Sequence, residues 1–78
     1  MTPTEARDQA QALVAELKQA RLDIGRDGME IAYRAGLQRY VIQTSEAGIT
    51  SPRLPTIIRW AEALNYQVVL RKKDEDGV

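Results

Sequence analysis

Apolar residues recur at helical spacing in four places along the chain. Ala6, Ala10, Leu13, Val14, Leu17, Ala20 and Ile24 make the longest stripe, and Ile31, Ala32 and Ala35 a second. Leu37, Val41 and Ile42 make a third, and Leu54, Ile57, Ile58, Ala61 and Leu64 a fourth, each set facing inward on its helix. Punctuation between the stripes fixes their ends. Thr2-Pro3-Thr4-Glu5 is a strong helix start, with Thr2 as N-cap, Pro3 at the first helical position and Glu5 three residues after the cap. Gly25 ends that helix. Asp27 followed by Glu30 is a second capping-box pattern, in which the aspartate accepts from first-turn N–H groups and Glu30 reaches back. Gly36 can take the left-handed conformation that stops a helix, so two short helices fit Asp27 to Gly48 better than one long one.

Pro52 and Pro55 disfavour helix before them, which makes Ile49 to Arg53 a loop. The fourth helix then runs from Leu54 to Leu64, with Trp60 at the edge of the core and Asn65 as its stop. Beyond Asn65 the period changes. Tyr66, Val68 and Leu70 alternate with Gln67, Val69 and Arg71, the pattern of a short strand. A lone strand in a helical domain has no ladder partner within its own chain, and its backbone groups need one. The expectation is therefore an antiparallel pairing of Tyr66, Val68, Val69 and Leu70 with a second copy across a two-fold axis, that is, a homodimer.

With Leu37, Val41 and Ile42 turned inward, the third helix presents Gln38, Arg39, Tyr40, Gln43 and Thr44 outward. All five can hydrogen-bond, and the fold itself does not need them to. Two short helices around a tight turn, the second with a spare polar face, read as a helix-turn-helix.

Composition narrows the chemistry. At 78 residues the chain forms one domain, near the lower limit for a self-sufficient core. It has no cysteine and no histidine, which excludes disulfides, zinc fingers and Ser-His or Cys-His catalysis. Neither a nucleophile with its base nor a phosphate-cradling glycine loop is present, so no enzyme, metal site or cofactor is expected. No apolar run approaches the ~20 residues needed to span a bilayer, and the start lacks a leader pattern, so a cytoplasmic location is expected. Net charge is zero, with eleven basic and eleven acidic residues. The distribution is uneven: between Arg34 and Trp60 stand Arg34, Arg39, Arg53 and Arg59 against Glu46 alone. A local basic face on a neutral chain suits DNA bound by a dimer, where phosphate contacts from two copies add. Thr50, Ser51 and Arg53 in the loop are phosphate donors by chemistry.

The run Glu30-Ile31-Ala32, then Leu37, Ile42 and Glu46-Ala47-Gly48, followed by Ser51 to Ile57 and Ala61-Glu62-Ala63-Leu64, resembles the lambda-repressor-like (Cro and Xre type) helix-turn-helix family. The resemblance covers roughly Leu13 to Tyr66. It implies a mainly α domain of four to five helices and a DNA-binding regulator, a repressor, whose third helix lies in the major groove. Gln38, Arg39, Tyr40, Gln43 and Thr44 are then the base-contacting set. It also implies that Arg21 pairs with Glu46, a bidentate grip that fixes the end of the third helix against the first. Two positions depart from the family pattern. Gly28 stands at the phosphate-contacting position where members carry a bracing glutamine, and Ser45 replaces a bulky apolar residue. The implied organisation is an N-terminal helical extension (1–12), the DNA-binding domain (13–65), a dimerisation strand (66–72) and an acidic tail (73–78). An alternative is an antitoxin that binds a cognate toxin protein and autoregulates its operon; the C-terminal stretch Gln67 to Lys72 resembles that of some Xre-type antitoxins.

Overall fold

A computed structural model describes residues 1–73, which form four helices: α1 (Pro3–Asp23), α2 (Gly28–Ala35), α3 (Arg39–Glu46) and α4 (Leu54–Ala63). Local chemistry sets the start of α1. Glu5 N–H donates to the Thr2 hydroxyl at 3.1 Å while Thr2 N–H donates to the Glu5 carboxylate at 3.0 Å, closing the capping box. Thr2, through its backbone N–H first and its hydroxyl second, holds the Glu5 carboxyl below its ordinary value.

The four helices stop in one way. At Gly25, Gly36, Gly48 and Asn65 the backbone turns left-handed, with φ between 64° and 77°. The next residue sends its N–H back to the carbonyl five positions earlier: Arg26 to Arg21, Leu37 to Ala32, Ile49 to Thr44 and Tyr66 to Ala61, at 2.8–3.1 Å. This is the Schellman closure, and it satisfies carbonyls the helix leaves orphaned. Asn65 is the one residue with a Cβ in that conformation among the described residues. Asparagine tolerates it best.

The second capping box forms only by half. Asp27 accepts from Glu30 N–H at 2.8 Å, but the Glu30 carboxylate does not reach back. Arg26 at 2.7 Å and Arg34 at 3.1 Å, one helical turn to either side, hold it instead.

The core gathers Val14, Leu17 and Ala20 from α1, Ile31 and Ala32 from α2, Ile42 from α3, and Ile57, Trp60, Ala61 and Leu64 from α4 and its cap. Leu37 packs against its edge. Trp60 is fully buried rather than at the rim, and that re-centres α4. Leu54 and Ile58, expected inward, are 59% and 48% exposed. With ~100° between successive residues, a stripe centred on Ile57, Trp60, Ala61 and Leu64 carries Ile58 out of the core. The opening turns of α1, Pro3 to Gln9, are exposed throughout, as is Ala6; Leu13 and Ile24 of the expected stripe are also exposed. Burial on α1 is confined to Val14, Leu17 and Ala20.

Past Asn65 the described chain forms neither helix nor strand. The expected strand meets no neighbouring backbone in its own chain, so no ladder forms. Tyr66, Val68, Val69 and Leu70 are all exposed. Of the expected acidic tail, Lys73 is exposed, and residues 74–78 lie outside the described set. No helix among the described residues is long and apolar enough to cross a membrane.

Candidate nucleic-acid interface

Each side of α3 has a different fate. Ile42 and Ser45 are buried, Val41, Thr44 and Glu46 are half-buried, and Arg39, Tyr40 and Gln43 are exposed together with the N-cap Gln38. Ile42 is what anchors the helix. It lies so close to the start of α2 that a Cβ on Gly28 would come within 3.3 Å of its Cγ2. Gly28 therefore packs closely on Ile42: a Cβ there would require that side chain to give by a few tenths of an ångström. Between the two helices runs a cleft of about 470 Å³, bordered by Asp27, Gly28 and Met29 on one side and Arg39, Ile42 and Gln43 on the other.

Arg21 and Glu46 also line that cleft. Arg21 Nε donates to Glu46 Oε2 at 2.9 Å and Nη2 to Oε1 at 2.7 Å, a bidentate pair with both side chains about nine-tenths buried. The third nitrogen, Nη1, donates to the Arg26 carbonyl at 2.8 Å. One guanidinium thus ties the end of α3 to α1 and to the α1–α2 link, which sets the rotation of α3 about its own axis. The Glu46 hydrogen bonds raise the Arg21 pKa above its ordinary value despite the opposing effect of burial, so the guanidinium stays charged.

The two threonines of the expected site face each other. Thr44 Oγ1 lies 2.7 Å from the Tyr40 carbonyl, to which it can donate, and 3.1 Å from Thr50 Oγ1. Either hydroxyl can donate in the second contact. Thr44 and Thr50, read from the sequence as a base contact and a phosphate donor, hydrogen-bond each other between the end of α3 and the α3–α4 loop. Ser51 and Arg53 of that loop are exposed. Gln11 Nε2 donates to the Thr50 carbonyl at 3.1 Å, tying the first part of α1 to the same loop.

Ion pairing divides the arginines between positions 21 and 59. Arg21, Arg26 and Arg34 each sit on a carboxylate. Arg39, Arg53 and Arg59 pair with none among the described residues. Arg59, read from the sequence only as part of the basic stretch, donates through Nη1 to the Gly36 carbonyl at 3.3 Å, a contact the sequence did not show. Also missed were two buried polar atoms without a hydrogen-bond partner, Ser45 Oγ and Trp60 Nε1. Ser45 had a signal, as a small polar residue at an inward position of α3; the contacts of Arg59 and Gln11 had none, because their partners lie 23 and 39 residues away. No family model, curated protein or solved structure matches the chain.

Proposed function

We propose that this chain is a sequence-specific DNA-binding regulator, a repressor, that acts as a homodimer on a palindromic operator, with α2 and α3 as a helix-turn-helix and α3 in the major groove. The observation that carries the reading is the pairing of Arg39 and Gln43, exposed and one turn apart on α3, with the start of α2 across one cleft. Arg39 has no carboxylate partner among the described residues, so its fork is available for guanine O6 and N7. Gln43 suits adenine, and Tyr40 a thymine methyl or a phosphate. Gln38 stands at the leading end of the helix. Phosphates are taken by the Gly28 backbone N–H at the α2 start and by Ser51 and Arg53 along the loop. The exposed run Tyr66, Val68, Val69 and Leu70 joins two copies as antiparallel strands. Two-fold symmetry then sets two copies of α3 about 34 Å apart, so half-sites repeat near ~10 bp.

The test is selection of bound duplexes from a random pool, followed by sequencing. Enrichment of an inverted repeat with that spacing is the expected result. Recovery of an unenriched pool overturns the reading. Enrichment of an unrepeated site removes the dimer and leaves the exposed C-terminal run to a different partner, as in the antitoxin alternative.

A further inference from the structure

We infer that Arg59 is a further DNA-backbone contact, a guanidinium held at the α2–α3 turn to grip one phosphodiester beside the leading end of α3. The inference rests on the DNA-binding reading above and deepens it by adding a residue from α4.

Three observations converge on this arginine. Its Nη1 donates to the Gly36 carbonyl at 3.3 Å, and a Cβ on Gly36 would stand 3.8 Å from the same nitrogen, so the side chain lies along the turn rather than extending freely into solvent. Gly36 precedes Gln38, the N-cap of α3, by two residues. The charge is therefore fixed next to the base-contacting set although its own helix is not part of that set.

The second observation is what the arginine lacks. It has no carboxylate within 4.0 Å among the described residues, and Glu62, one turn further along α4, does not pair with it. A guanidinium carries five N–H donors, and the Gly36 carbonyl takes one. Donors in a rigid fork remain, and that geometry matches phosphate oxygens. The third observation is the company it keeps. Between positions 21 and 59 the arginines up to Arg34 are paired and those from Arg39 are not among the described residues, and Arg59 belongs with Arg39 and Arg53 on the unpaired side. A guanidinium with a purely structural task had a carboxylate partner at Arg21; Arg59 rests on a neutral carbonyl, which positions the charge without cancelling it.

The experiment measures affinity for the selected duplex against salt concentration, for wild type, Arg59→Gln and Arg59→Lys, with thermal melting of each variant as a control. Each phosphate neutralised contributes about 0.9 to the slope of log affinity against log salt, so Arg59→Gln in a dimer should flatten it by about 1.8. Arg59→Lys should keep the wild-type slope, and the base preferences of all three should coincide. A slope for Arg59→Gln equal to wild type overturns the inference and makes Arg59 a clamp on the turn alone. A wild-type protein that binds no duplex overturns the DNA reading itself, and this inference with it.

Discussion

Arg26 and Arg34 on one side, and Arg39, Arg53 and Arg59 on the other, differ in their surroundings more than in their exposure. Arg26 and Arg34 are as open to solvent as a surface side chain usually is, yet both lie on Glu30. Arg39, Arg53 and Arg59 are exposed too, with no acid beside them among the described residues. A fold needs neutralised charge wherever it must desolvate a cation, as at Arg21, and tolerates it on the surface. It has no structural need of the uncompensated charge on Arg39, Arg53 and Arg59. What the difference teaches is where to look for a ligand: a neutral chain can still leave several cations uncompensated, and under the proposed reading these meet DNA.

The sharpest break of that comparison is Arg21→Ala. It leaves the Glu46 carboxylate nearly buried without a partner, and the loss should be about 3 kcal/mol. For a domain of this size that lowers the melting temperature by more than ~10 °C. A shift of only a few degrees would mean that the pair does not fasten α3. At the other extreme, Arg26→Ala and Arg34→Ala remove exposed pairs and should each cost under ~0.5 kcal/mol, less still in high salt. Denaturant titration checks this, and a loss of 2 kcal/mol at either position would show that the outer face of α2 is structural after all.

Much of the fold was legible because helix ends are local chemistry. The left-handed stops at Gly25, Gly36 and Asn65, and the Thr2 cap, each follow from one or two residues. Errors arose where neighbours compete. The reciprocal bond expected from Glu30 gave way to Arg26 and Arg34, which flank it one turn away on either side. Leu54 and Ile58 were turned inward because spacing marks a stripe but not its centre, and the bulk of Trp60 sets that centre. The alternation from Tyr66 to Arg71 is plain in the sequence, but a ladder needs a second backbone that the single chain does not supply. In the candidate site, the outward position of Gln38, Arg39, Tyr40 and Gln43 followed from the inward stripe alone. The inward bonding of Thr44 and Thr50 did not, since it depends on how the loop after Gly48 folds back over α3.

The proposed groove-reading role of α3 is tested most directly by Arg39→Ala, measured against the selected duplex and against single-base variants of it. The expected result is a loss of about 1–3 kcal/mol, roughly 5- to 150-fold in affinity, with discrimination relaxed at one base pair and the melting temperature unchanged. Wild-type affinity and wild-type base preference in that variant would contradict the account.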